Sequence, residues 1–203
     1  YNTAIGYNAG AAVTTGFNNT VVGGLALDAQ TTGDYNVALG VLALSADTTG
    51  NKATGLGYGA LATQNVTDSA DTFNTAVGYL AGTAVTTGLA NTLIGASAGD
   101  SLTDADHNVA IGYAALDADT KGSKSVAMGR GALTAQNFSS ATNTYNVAVG
   151  DLAGQQVTTG VENTIVGGRA GDALTTGQEN AVFGQQALSA DTAGNHTTAI
   201  GHG

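Results

Sequence analysis

Cysteine, proline and tryptophan are absent from the 203 residues, and only 10% of them are charged. Without cysteine there is no disulfide framework and no thiolate metal site, and the chain is compatible with any redox compartment. Five Lys plus Arg against fifteen Asp plus Glu leave a formal charge of −10, which argues against a grip on nucleic acid phosphates or anionic lipid. No apolar run reaches the roughly 18 residues of a membrane span, so no membrane insertion is expected from this segment. What is present is small. Gly contributes 31 residues, Ala, Val, Thr and Asn abound, and 42% of the chain is hydrophobic, too much for a disordered sequence.

These residues recur in phrases. Aligned on the Gly that closes each phrase, the anchors are Gly6, Gly23, Gly40, Gly57, Gly78, Gly95, Gly112, Gly129, Gly150, Gly167, Gly184 and Gly201. Three intervals of 17 residues and one of 21 make a cycle of 72 that runs from Gly6 to Gly78 and again to Gly150. A two-level period of this kind specifies a solenoid. We therefore expect an all-β, parallel β-solenoid (β-roll) of about twelve 17- or 21-residue coils. It is one repeat region, 1–203, with super-repeats 2–73, 74–145 and a partial 146–203. The pattern is already running at both ends, as in a segment of a longer fibre.

Each column of the alignment carries an expectation. The residue before the anchor is always large and apolar (Ile5, Val22, Leu39, Leu56, Val77, Ile94, Ile111, Met128, Val149, Val166, Phe183, Ile200), which marks it as core. The residue before that is also small or apolar, as in Ala4, Val21 and Leu93, yet on a strand it points the other way. Both strand faces are therefore expected to be covered. Three residues after the anchor stands Ala in all eleven complete coils, and the next position admits only Gly or Leu. A column closed to larger residues implies close approach of backbones. Thr-Thr-Gly then marks a corner, at 14–16 and 86–88 among others.

Asn opens nine of the twelve phrases, and the exceptions, Ala53, Ser125 and Thr197, all open the fourth coil of a cycle. Asn tolerates left-handed backbone and bonds corner groups, so an Asn ladder at a corner is expected. Seventeen residues suit two short strands and two turns per coil. One thin coil of small side chains offers too little burial to offset the ordering of its backbone, which predicts a parallel homo-oligomer; three chains are the simplest cyclic form that encloses a core.

Phrases such as NTAIGYNAG, NTAVGYLAG and SVAMGRGAL resemble the head repeats of trimeric autotransporter adhesins. The fuller NVALGVLALSADTTGNK resembles repeats of bacteriophage tail fibres. The resemblance covers essentially the whole chain and implies a left-handed parallel β-roll in a trimer. It places the protein in a virion tail fibre or at an extracellular or cell surface.

Chemistry is sparse. His107, His196 and His202 are scattered and suggest no catalytic dyad or triad, so neither an enzyme nor a cofactor is expected. Asp104–His107 (DADH) and Asp117–Asp119 (DAD) have oxygen ligands but lack the glycine-rich calcium repeat, and they are expected to be solvated corners rather than a metal site. The Thr-Thr pairs raise ice binding, although Asp104 and Lys121 break the ladder. The 21-residue coils enlarge one corner, at 63–73 and 134–145, and present Phe73, Phe138 and Tyr145 as possible contacts for a glycan or receptor. The leading expectation is a stiff structural fibre segment supporting host attachment. A surface adhesin head and an ice-binding or self-assembling filament stand as alternatives.

Overall fold

In the computed structural model, which describes residues 1–203, the three residues before each anchoring Gly form a strand. In chain order these are β1 (Thr3–Ile5), β2 (Thr20–Val22), β3 (Val37–Leu39), β4 (Thr54–Leu56), β5 (Thr75–Val77), β6 (Thr92–Ile94) and β7 (Val109–Ile111). Then come β8 (Gly122–Ser123), β9 (Val126–Met128), β10 (Thr142–Asn143), β11 (Val147–Val149), β12 (Thr164–Val166), β13 (Ala181–Phe183) and β14 (Thr198–Ile200). All but β8 and β10 join one 12-stranded parallel sheet in sequence order, so the chain is a β-solenoid of twelve coils. Like sits on like: Thr75 pairs Thr92, Ala76 pairs Leu93 and Val77 pairs Ile94. At roughly 4.8 Å per coil the stack is about 57 Å long.

Each ordinary coil holds one regular strand, not the two expected. The rest of the coil is turns, yet of 119 backbone hydrogen bonds only 23 lie within strands, so the turns carry most of the ladder. In the fifth coil, for example, Gly82 N donates to Ala98 O at 3.0 Å and Thr86 N to Thr103 O at 2.9 Å, both in the coil that follows. Glycine and left-handed residues, including Leu80 (φ 54) and Leu61 (φ 53), turn the backbone so that these groups point along the stack.

The two strand columns are the reverse of the expectation. The residue adjacent to the anchor faces outward, as Ile94 and Phe183 do at 37% and 41% exposure, while the one before it is the interior column. Ala76, Leu93, Ala110, Ile165 and Val182 are fully buried there against the invariant Ala column and the buried leucines. The inner side of a coil this thin is shared between this column and the buried leucines of the turns, so a large strand residue such as Leu93 or Ile165 stands there only beside glycine.

The Gly-or-Leu column is now explained by volume. Where the interior strand residue is Gly55 or Ala76, the coil before it supplies a left-handed Leu, Leu44 or Leu61. Where that residue is Leu93, glycine stands on both sides of it: a Cβ on Gly82 would lie 2.5 Å from Leu93 Cδ1, and one on Gly99 would lie 2.8 Å from its Cδ2. Gly154 and Gly171 flank Ile165 in the same way.

The Asn ladder is interior, and it is the residue before each Asn, such as Ala90 (φ 56), that takes the left-handed corner. Asn91 shows the reason. Its Oδ1 accepts from Asn108 N at 2.9 Å, and its Nδ2 donates to Ala105 O at 2.8 Å, so one side chain pairs the backbone of two coils. We expect Asn91→Ala to strand both groups in the interior at about 1–3 kcal/mol each, which shows in urea unfolding as a lower midpoint. The exceptions fit too. In the fourth coils Gln64 and Gln136 reach into the space beside Ala53 and Ser125, and their Oε1 atoms accept from Asn74 Nδ2 (2.9 Å) and Asn146 Nδ2 (2.8 Å).

Candidate functional surfaces

Two surfaces stand out once the coils are stacked. The first is the outer face of the 12-stranded sheet. Period-two alternation sends the residue beside each anchor and the one two before it to this side, giving parallel rows of Ile, Leu, Val, Met and Phe beside Thr and Val. Neither row carries a charge. Tyr7, Tyr58, Tyr79 and Tyr113 follow the anchors and line the edge of this face, with the rings of Tyr58 and Tyr79 stacked at 5.5 Å. The uncharged strip measures on the order of 57 Å by 10 Å, one row of it aliphatic or aromatic throughout and the other mostly Thr, a large continuous surface for a lone soluble chain to leave open.

The second surface is the enlarged corner of the fourth coils. The extra residues loop outward and then rejoin the preceding coil. Asp71 bridges to Asn51 in the first cycle, and β10 pairs with β8 in the second. Phe73 and Tyr145 occupy equivalent left-handed positions and are about half exposed. Each ring is covered by a lysine ammonium at 5.3 Å, Lys52 over Phe73 and Lys124 over Tyr145. Lys52 also pairs with Asp71 at 2.6 Å.

Phe138 does not join this surface. It is only 7% exposed and, like Val66 in the first cycle, turns inward at the start of the loop. The preceding coil carries a glycine at that spot, and a Cβ on Gly122 would lie 3.0 Å from the Phe138 ring, so the missing side chain makes room for it. Phe138 is therefore a plug under the corner rather than a contact residue.

Titratable groups are arranged structurally. His196 faces Glu179 at 3.2 Å on the exposed corner, and no group of three or more His, Cys, Asp or Glu is placed to share a metal. Asp104 and Asp106 lie at a partly exposed corner, where Asp106 Oδ1 accepts from Leu89 N at 2.8 Å. Asp119, expected in solvent, is fully buried instead. Asp100 and Asp117 stand one coil apart, and partial burial pushes both carboxyls above the usual range, the charge of Asp100 adding to the effect on Asp117.

The corner threonines are engaged within the ladder: Thr14, Thr31, Thr86 and Thr103 each donate Oγ1 to a carbonyl of the next coil at 3.0–3.2 Å. The one concavity is an open depression at the last coil, lined by Leu188, Ala199 and Ile200, where the interior of the stack is uncovered. No helix is present that is long and apolar enough to cross a membrane.

No family model, curated protein or solved structure matches the chain.

Proposed function

We propose that this chain is a structural fibre segment, a stiff spacer of a tail fibre or similar virion appendage, assembled from three parallel copies through the outer sheet face. The observation that carries the reading is that face: twelve strands in unbroken order presenting an uncharged surface, an apolar row beside a row of mostly Thr and Val. Its area, on the order of 600 Å² per chain, approaches the roughly 800 Å² that each partner contributes to a stable interface. Identical copies are the economical occupant, because matching repeats keep the same spacing along the whole length. The mechanical role follows from the continuous hydrogen-bonded ladder, which resists bending and extension without any catalytic group.

Sedimentation of the purified chain over a range of concentrations tests this directly. A mass of three chains is expected, falling to one in the double variant Ile94→Lys, Ile111→Lys, whose side chains point outward and whose coils remain folded by circular dichroism. A wild-type chain that stays monomeric at every concentration overturns the assembly.

A second reading, a bacterial surface adhesin head binding host or matrix ligands, is favoured by the lysine-flanked aromatics at Phe73 and Tyr145. Glycan or matrix binding that disappears in Phe73→Ala, Tyr145→Ala would support it.

A further inference from the structure

The two enlarged corners share a backbone plan but not a charge. Residues 72 apart correspond, so Lys52 matches Lys124 and Phe73 matches Tyr145, whereas Asp71 is replaced by Asn143. Asp68 is likewise replaced by Ser140, and Thr49 by Lys121. The first corner, 49–52 with 63–73, therefore carries two carboxylates and one lysine; the second, 121–124 with 134–145, carries two lysines and no acid. In a chain of net charge −10, three of the five cations stand at these two places.

The exchange changes what each lysine holds. Lys52 Nζ donates to Asp71 Oδ2 at 2.6 Å, so the first corner fills its own cationic position. Asp71 bridges to Asn51, the residue before Lys52, and Asn143 pairs with Ser123, the residue before Lys124. Asn143 thus stands where Asp71 stands, but its amide brings no charge. Lys124 pairs with no carboxylate. Its Nζ lies over the Tyr145 ring and 3.3 Å from the Tyr145 hydroxyl. Acids of the preceding coil do not replace Asp71: Asp104 faces Lys121 at 3.9 Å, and Asp106 Oδ1 accepts from Leu89 N.

We propose that the second corner binds acidic saccharides, with Lys124 taking the carboxylate of a uronate-type sugar in the place that Asp71 fills in the first corner. The proposal rests on the reading of the corners as contact surfaces and says which of them is open, and to what. Asp71 acts as a tethered stand-in for the ligand, so the first corner displays the occupied geometry and is closed to an outside acid. An ammonium-to-carboxylate bond is charge-assisted and fixes the acidic group. The half-exposed Tyr145 ring offers a platform for the apolar side of the sugar ring. The Asn143 amide and the Ser140 hydroxyl, both exposed in the same loop, supply donors and acceptors for its hydroxyl groups.

NMR titration of the full chain, following the Phe73 and Tyr145 rings separately, tests the site with a galacturonate trisaccharide, a galactose trisaccharide and a tri-glutamate peptide. The galacturonate probe should shift Tyr145 and leave Phe73 in place. Asn143→Asp should weaken that binding about tenfold or more, because the lysine gains an internal partner. Asp71→Asn should open the first corner, so that Phe73 responds as well. Both substitutions exchange exposed side chains of the same shape. Equal binding of the galactose probe at the two corners would leave the contact surfaces standing and overturn the acidic site. Tri-glutamate binding as tight as the sugar's would overturn the saccharide class. A Tyr145 ring that no probe moves would overturn the site and the contact reading together.

Discussion

Gly78→Ala is expected to disrupt the stack between the fifth and sixth coils at a cost above about 4 kcal/mol, outside the range of ordinary substitutions. Gly78 sits at φ +140, far beyond the left-handed values near +55 that leucines adopt elsewhere in each coil. A Cβ there would also lie 2.5 Å from Gly95 O and 2.6 Å from Gly95 C, atoms of a backbone already fixed by its own ladder. Neither the torsion nor the contact can relax without parting the coils. Gly168→Ala is the matched control, since nothing lies within 4 Å of its Cβ, and it should stay within about 0.5 kcal/mol of wild type. Hydrogen exchange localises the effect. Fast exchange confined to coils around residue 78 in the first variant, with the second unchanged, is the expected pattern, and equal behaviour of the two would refute the steric account.

Leu93→Ala is the second large effect, at about 3–5 kcal/mol, the upper part of the range for buried leucines. Gly82 and Gly99 on either side have no side chains to move into the void, which leaves Leu61, Val85 and Leu102 to relax toward it. Adding Gly82→Leu to this variant should restore a good part of the loss. It recreates the pairing in which Leu61 stands near Ala76, and Leu61 at φ 53 shows that this column accepts leucine in the left-handed conformation. Gly82→Leu alone should be destabilising, because its Cβ meets Leu93 Cδ1. Urea unfolding of the four proteins gives the coupling. Additive losses in the double variant would mean that the two columns do not share space.

The coil count, the parallel stacking and the closed Ala column were legible because a strict period exposes them without any knowledge of side-chain direction. Which strand face is inside was not. Val77 and Ala76 are both apolar, and alternation separates the two faces without saying which is the solenoid interior. The thickness of the coil decides that, and thickness depends on how the turns fold. The Asn column was assigned to the right ladder and the wrong side of the corner, since the left-handed residue before it has no consistent identity, being Tyr35, Lys52, Phe73 or Ala90 in consecutive coils. Of the corner aromatics, Phe73 and Tyr145 could be told from Phe138 by their equivalents one cycle apart. They match each other, whereas Phe138 matches Val66, an apolar residue with no recognition chemistry. The buried Asp47 and Asp119 gave a similar signal, Asp and then Gln recurring after 72 residues, hidden by the assumption that charge lies outside.

Near-identical rungs carry a hazard during folding, because a growing stack can skip one and still find matching backbone partners. The buried pair of Asp119 and Gln136 penalises that error. If the eighth coil were bypassed, Asp119 would meet Val157 in place of Gln136 and lose the amide that satisfies it. A mistake that the backbone cannot detect thus leaves Asp119 Oδ2 without its donor in the interior, and the equivalent pair of Asp47 and Gln64 guards the first cycle in the same way.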